Sequence, residues 1–239
     1  MNCQRSLFCV LITAAMTALF SLTVMASSSW ENLLNAEAVM ELSSEAVGTA
    51  DDMIAIARTQ EGYHGYTQDG KHYSYFGDIW DPELSERNKK NNGNWCSEFV
   101  SWCLVTANVP DSKPLISVSA FRNYYQDSMY KMYASACNST DTHQQIVEDW
   151  FSGYTSKGTL KLKDLKKGDI LLICRDDKLS GGEPHHTAVF NFFSGNQVHV
   201  IEGNKRMDDG TTQVYGDGTY EAHEVIAVIR PEYNDDKGT

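Results

Sequence analysis

The order of helical and extended segments constrains the fold of this chain most. Up to about residue 151 apolar residues recur at helical spacing, whereas later segments are extended. KKGDILLICRD is a turn leading into a buried strand, and HEVIAVIRP is a last strand closed by Pro231. Helices followed by strands are typical of an α+β domain. We therefore expect N-terminal helices packed on a mainly antiparallel β-sheet.

Four helices are expected before the strands. The first covers 51–60, with Asp51 or Asp52 as its N-cap and Gly62 as its stop. The Gly- and Tyr-rich stretch 62–93 shows little periodicity and is expected to be loop. A second helix begins beside Asn94, and the last two are expected at 119–133 and 142–151, with an aromatic face.

The N-terminus has the layout of a secretory signal peptide. Arg5 precedes an apolar stretch from Leu7 to Val24, and small residues allow cleavage after Ala26. The apolar stretch is also about long enough to span a bilayer, so an uncleaved anchor is the alternative. We expect the following division of the chain: signal peptide 1–26, polar lead-in 27–50, one main domain 51–233, tail 234–239.

Charge and cysteine content restrict the partners. Removing 26 of the 239 residues would leave 213 and move the formal charge from −12 to −13, because Arg5 is the only charged residue removed. A chain this acidic lacks the excess of basic residues with which proteins attract nucleic acid or anionic lipid. Of six cysteines, Cys3 and Cys9 leave with the signal peptide, and the remaining four allow at most one bridge plus free thiols. We expect a monomer with no cofactor.

Cys96 is the first candidate for chemistry. It lies in the first turn of the helix that begins beside Asn94, where the positive end of the helix dipole favours thiolate over thiol. A core cysteine or half of a disulfide is the alternative on position alone. The apolar face of this helix is continuous and comprises Cys96, Phe99, Val100, Cys103 and Ala107.

A nucleophilic cysteine also needs a base. His64, His72 and His143 lie in polar segments and are expected to be solvated. His185 and His186 open a strand, and only one of them can face the helix because strand side chains alternate. These two residues are therefore the candidates for the base.

The hairpin that follows identifies a third group. A three-residue loop of Ser194, Gly195 and Asn196 would place His186 diagonal to Glu202 on one face. A two-residue loop would put Glu202 on the opposite face. A solvated strand-end charge is the alternative interpretation of Glu202, since a buried carboxylate is costly unless it is paired.

Metal sites are not indicated. The chain has neither Cys-x-x-Cys nor His-Glu-x-x-His spacing, so we expect no zinc site. DDGTTQVYGDG, starting at Asp208, has the composition of a calcium loop without its ligand spacing, and we expect a solvated turn.

Three blocks of sequence together resemble the CHAP family, the cysteine- and histidine-dependent amidohydrolases/peptidases of the papain-like and NlpC/P60 group. WCSEFVSWC is similar to the block around the family's nucleophile, HTAVF to the strand carrying its base, and IEGN to the element that completes its site. When further segments of weaker similarity are included, the resemblance spans about residues 51–233.

The resemblance implies a papain-like fold and an exported thiol hydrolase of peptidoglycan. Cys96 would attack an amide carbonyl, His186 would be base and then acid, Glu202 would orient His186, and Asn204 would support the polar network. Trp95 and His185 are the expected substrate contacts. His185 departs from the small residue that often precedes the family's histidine, which leaves two imidazoles to choose between.

Two alternatives follow from the same residues. One is an NlpC/P60-type endopeptidase specific for the γ-D-glutamyl bond, which product analysis would distinguish. The other is a non-catalytic wall-binding or scaffold module, in which no cysteine would react unusually fast with iodoacetamide. The non-catalytic alternative is disfavoured because the chain retains residues for all three roles, namely nucleophile, base and orienting carboxylate.

Overall fold

The computed structural model describes residues 32–76, 94–132, 140–175 and 183–235. The expected signal peptide and Cys137 lie outside these ranges. Within them, no helix combines the length and the apolar character needed to cross a bilayer.

The described residues combine helices with a seven-stranded sheet, an architecture compatible with the expected α+β class. A separate two-stranded sheet, β1–β2, lies in the stretch expected to be loop. The helices are α1 Ala36–Glu45, α2 Ala50–Thr59, α3 Cys96–Thr106, α4 Val118–Tyr124 and α5 Thr140–Phe151. The strands are β1 Tyr66–Gln68, β2 Lys71–Tyr73, β3 Met129–Met132, β4 Thr159–Leu160, β5 Ile170–Ile173, β6 His186–Ser194, β7 Gln197–Arg206, β8 Thr212–Glu221 and β9 Val225–Ile229.

The seven strands lie in the order β4-β3-β9-β5-β6-β7-β8. Neighbouring strands are antiparallel except for the short β3–β4 pair, as the sequence led us to expect. The expected separation of helices from later strands is not complete, because β3 precedes α5 in the chain.

The N-cap of helix α2 lies two or three residues earlier than predicted. Its N-cap is Thr49, not Asp51 or Asp52: the Thr49 side chain accepts a hydrogen bond from the Asp52 amide, and the Asp52 carboxylate accepts one from the Thr49 amide. This reciprocal capping box satisfies two amides that the helix leaves without internal partners. It ties the start of the expected main domain to the segment before it.

The helix predicted at 119–133 is wrong in its second half. α4 ends at Tyr124, a 3₁₀ turn follows, and 129–132 form strand β3 beside β9. Aromatic and Met residues suit either structure, so pairing with a buried neighbouring strand decided the outcome. Of the expected aromatic face, Phe121 is fully buried, whereas Tyr124 is 37% exposed.

The expected solvated turn starting at Asp208 is also wrong over most of its length. Only its first residues turn, and from Thr212 the chain forms β8, which pairs along β7. Glycines and Asp217 hide the strand in the sequence because both residue types are depleted in strands. Across the described ranges, no group of His, Cys, Asp and Glu side chains is arranged to hold a metal ion.

Apolar residues on both faces of the sheet are buried. Along β5, Ile170 and Leu172 belong to the larger core cluster, which contains the helices, while Leu171 and Ile173 belong to a second cluster. Because strand side chains alternate, the two clusters lie on opposite faces. This explains why β5 is apolar without interruption.

Helix α3 lies in the middle of the larger cluster. Apart from Val105, every residue from Cys96 to Thr106 is buried, so the helix is enclosed on all sides rather than along the single predicted face. Gly203 of β7 permits this approach, since a Cβ atom there would lie 2.6 Å from the Phe99 Cβ atom. The N-terminus of α3 is thereby held against the sheet.

Candidate active site

Cys96 is the first residue of α3 and only 2% of its surface is exposed. The first-turn amides of a helix have no partner within the helix, so the thiol lies at the positive end of the helix dipole. The Ser97 side chain and the Thr187 backbone form hydrogen bonds to Cys96. The two neighbours are themselves joined, because the Ser97 and Thr187 hydroxyls lie 2.9 Å apart.

His186 is the first residue of β6 and pairs with Ile173 at the end of β5. Its side chain is buried and forms a hydrogen bond with Cys96. The other ring nitrogen, Nε2, lies 2.6 Å from Glu202 Oε2. With Nε2 engaged by the carboxylate, Nδ1 is the nitrogen left for the sulfur. The structure thus joins thiol, imidazole and carboxylate in that order.

The strand register that joins His186 to Glu202 arises differently from the prediction. Ser194 pairs with Gln197, so the hairpin loop has two residues instead of the three expected. A register shift between Phe190 and Phe192 then inserts one extra residue into β6, and Ala188 pairs with Glu202. This β-bulge reverses the effect of the shorter loop on which face each side chain occupies.

The buried groups shift one another's proton affinities. Burial raises the pKa of Cys96, but the charge and hydrogen bond of His186 outweigh it and leave that pKa below its ordinary value of 9.0. Burial lowers the pKa of His186, but Cys96 and then Glu202 raise it to about 9. These directions favour a thiolate–imidazolium pair near neutral pH.

Glu202 is held as a carboxylate. Burial raises its pKa, but the His186 hydrogen bond and charge, followed by Lys205 and Tyr220, lower it to about 2. The Tyr220 hydroxyl donates a hydrogen bond to Oε2 at 2.6 Å, and Lys205 Nζ lies 3.0 Å from Oε1. A fully buried carboxylate thereby receives three polar contacts and a compensating positive charge.

Sequence reasoning missed both Tyr220 and Lys205. Tyr220 lies on β8, which was expected to be a turn near its start, and no local pattern connects it with Glu202. Gly218 of the same strand leaves space for the carboxylate, since a Cβ atom there would lie 2.1 Å from Glu202 Oε1. A glycine inside a strand often marks such a close approach.

Asn204 lies two residues after Glu202 on β7, in the left-handed region with φ of 60°. Its side-chain Oδ1 is buried and makes no hydrogen bond within the described residues. The structure therefore places Asn204 on the correct strand but does not join it to the Cys96–His186–Glu202 chain. Support of the polar network by Asn204 stays a prediction.

A pocket of about 220 Å³ opens beside Cys96. His185 lines it, so the imidazole that is not bonded to the thiol borders the space next to it. Trp95 does not line this pocket: it is fully buried, and its Nε1 donates to the Thr212 hydroxyl at 3.3 Å. Its ring packs against Tyr63 and Phe76, and its contact with substrate stays a prediction.

The remaining described cysteines and the other histidine candidates differ from Cys96 and His186. Cys103 and Cys174 are fully buried thiols, and burial raises the pKa of Cys103 well above its ordinary value. His143, expected at the surface, is buried, and its Nε2 lies 3.1 Å from the Met132 carbonyl oxygen. A core role for Cys103 agrees with its position two turns after Cys96.

Comparison of the chain with protein-family models, with curated proteins and with solved structures gives no match in any of the three. The site is defined by its own geometry: a thiol at a helix N-terminus, an imidazole bonded to it, and a buried carboxylate bonded to the imidazole. This arrangement can present a thiolate to an electrophilic carbon and return a proton to the leaving group.

Proposed function

We propose that this chain is an exported cysteine amidohydrolase or peptidase that cleaves amide bonds of peptidoglycan. The observation that carries the proposal is the continuous hydrogen-bonded chain of Cys96, His186 and Glu202. The resemblance of the WCSEFVSWC, HTAVF and IEGN blocks to the CHAP family supports peptidoglycan as substrate and a papain-like arrangement of the helices and sheet. The apolar N-terminal stretch supports export.

In the first half of the proposed reaction, the Cys96 thiolate attacks the amide carbonyl carbon, and the carbonyl electrons move to oxygen. The Cys96 amide, free of an intrahelical partner, is the natural first donor to this oxyanion. When the tetrahedral intermediate collapses, the C–N bond breaks and the His186 imidazolium protonates the departing amine. A thioester on Cys96 and a neutral imidazole remain.

In the second half, neutral His186 takes a proton from water, and the resulting hydroxide attacks the thioester carbon. Collapse of the second intermediate breaks the C–S bond, releases the carboxylic acid product and restores the thiolate–imidazolium pair. Glu202 stays ionised throughout, because its pKa is about 2. Its role is to hold the imidazole in one orientation and to stabilise the positive charge.

The test of this proposal is lysis of purified cell walls by the wild type and by Cys96→Ala and Cys96→Ser. We expect both variants to keep the fold and to lose lysis. Lysis by folded Cys96→Ala equal to that of the wild type would refute the proposal. Mass spectrometry of the digest would identify the bond, and release at a γ-D-glutamyl bond would assign the activity to the NlpC/P60 type.

A further inference from the structure

A groove of about 540 Å³ lies apart from Cys96, between the C-terminal end of α2 and strand β8. Its volume is within the range of small-molecule sites, about 300–1,000 Å³. The groove has no lining residue in common with the pocket beside Cys96. The side chains that define it here are Arg58, Glu61, Phe192, Gln213, Tyr215 and Asp217.

Two aromatic rings of this groove are exposed. Phe192 is 47% exposed and Tyr215 is 37% exposed. The Phe192 ring stacks on the imidazole of its cross-strand partner His199, with centroids 4.2 Å apart and planes 10° apart. His199 is in turn fixed by Asp217, whose carboxylate oxygen lies 2.9 Å from Nδ1. Phe192 is therefore an exposed ring held in one orientation.

Two of the charged side chains of the groove neutralise each other, and the third is held by a hydrogen bond. Arg58 forms an ion pair with Glu61, and Asp217 is paired with His199. Glu61 lies directly over Gly216, where a Cβ atom would be 2.1 Å from its Oε1 atom. An anionic ligand would be repelled by the Asp217 carboxylate or would have to break the Arg58–Glu61 ion pair. A neutral ligand can accept hydrogen bonds from the guanidinium and donate them to the carboxylates without breaking either contact.

The groove thus combines the fixed ring of Phe192 and the exposed ring of Tyr215 with planar polar groups, and its Arg58–Glu61 ion pair carries no net charge. A neutral ligand that matches the aromatic rings and the polar groups has an apolar face and a rim of hydroxyl or amide groups. A pyranose ring has this chemistry. We propose that this groove binds a neutral glycan strand, with Phe192 stacked against a sugar ring. Such binding would hold the protein to a polysaccharide without charge attraction, which its acidic composition disfavours for an anionic polymer.

Phe193 provides a matched control. It follows Phe192 directly and is nearly as exposed, at 45%, but it does not line the groove. Its cross-strand partner Val198 belongs to the second core cluster, so Phe193 projects from the opposite face of the sheet. Replacing either residue removes the same apolar surface from the same strand, and only one change alters the groove.

The experiment titrates a soluble β-1,4-linked N-acetylglucosamine oligomer into Cys96→Ala protein, which cannot cleave through the thiol, followed by calorimetry and by amide NMR shifts. We expect saturable binding, shifts confined to the groove residues 213–217, and affinity at least ~10-fold weaker in Phe192→Ala. Phe193→Ala should bind like its parent. Thermal unfolding of each variant verifies that it is folded.

Absence of saturable binding would overturn the proposal, as would equal weakening in Phe193→Ala or shifts located at the Cys96 pocket instead. If Phe192→Ala does not fold, Tyr215→Ser, at the other exposed ring, replaces it with the same expectation. Because the titration uses protein without the Cys96 thiol, its outcome is independent of whether the chain hydrolyses amides.

Discussion

His186 Nε2 and Glu202 Oε2 lie 2.6 Å apart, although the turn that joins their strands is one residue shorter than predicted. The extra residue between Phe190 and Phe192 restores the register that brings the two side chains to one face. The pair is therefore fixed by the strand itself rather than by the turn, and bulges near functional groups commonly re-aim a side chain in this way.

His186 rather than His185 should be essential for catalysis. His186 is bonded to both Cys96 and Glu202, whereas His185 lines the adjacent pocket. We expect His186→Ala to reduce kcat for wall hydrolysis by about 100-fold or more. His185→Ala should act mainly on KM. Steady-state kinetics on a soluble wall fragment measure both, and the reverse ranking would show that the wrong imidazole has been assigned.

Glu202 should make folding stability depend on pH in the acid range. Its folded pKa of about 2 is below its ordinary value of 4.5, so its contribution is complete above pH 4.5 and is lost as the pH falls towards 2. The shift corresponds to ~3 kcal/mol of unfolding free energy. Glu202→Gln lacks this titration.

Denaturant unfolding at several pH values between about 2 and 5 measures the difference. The wild type should lose stability more steeply than Glu202→Gln as the pH falls, because other carboxylates titrate in both proteins. Parallel curves for the two proteins would show that Glu202 is not held as the buried carboxylate described here.

Tyr220 should position Glu202 without touching substrate. Its hydroxyl donates to the same oxygen that bonds His186, so Tyr220→Phe leaves the carboxylate with one fewer restraint. We expect kcat to fall by about 10-fold and the pH midpoint of Cys96 alkylation to move upward, because His186 is held less firmly. Tyr124→Phe removes a tyrosine hydrogen bond elsewhere, to the Asp111 carbonyl oxygen, and is the matched control for alkylation. Identical alkylation profiles for the two variants would refute the positioning role.

Gly218 should tolerate no side chain. A Cβ atom at this position would lie 2.1 Å from Glu202 Oε1 and 2.9 Å from a Val200 methyl carbon. We expect Gly218→Ala to lower the unfolding free energy by about 1–3 kcal/mol and to reduce hydrolysis by displacing Glu202. Gly203→Ala meets Phe99 instead and should act at least as strongly on stability. Full activity in Gly218→Ala would contradict the close fit.

Local patterns predicted the parts of the site that are encoded locally. The helix that begins at Cys96 and the strand that begins at His186 follow from helical spacing and from an apolar run, and the mainly antiparallel sheet follows from hairpin signals. Glu202 was identified through a three-residue hairpin loop that the structure does not have, and the β-bulge in β6 restores the same register. The papain-like arrangement stays a prediction.

Parts of the site that depend on tertiary contacts could not be predicted in this way. Strand β8 contains Gly216, Asp217 and Gly218, which are residue types unfavourable in strands, and it forms because it pairs with β7. The lack of a side chain at Gly218 leaves space for the Glu202 carboxylate. Without β8, Tyr220 had no predicted location near the carboxylate. Burial of the Trp95 ring in the core, beside an expected substrate groove, likewise depends on the packing of the α3 N-terminus and could not be predicted from sequence.

The reactivity of Cys96 as a function of pH tests the central claim most directly. The claim is that His186 holds the Cys96 thiol as a thiolate at neutral pH. The rate of iodoacetamide alkylation at Cys96 is followed by peptide mass spectrometry from about pH 4 to 10, with His186→Ala as comparison and Cys96→Ala to correct for other thiols.

We expect wild-type Cys96 to react at a nearly constant rate from neutral pH up to about 9, the pKa of His186. In His186→Ala the rate should be low at neutral pH and rise only at or above the ordinary thiol pKa of 9.0. A wild-type rate that also rises only near pH 9.0, with the same profile as His186→Ala, would contradict the account.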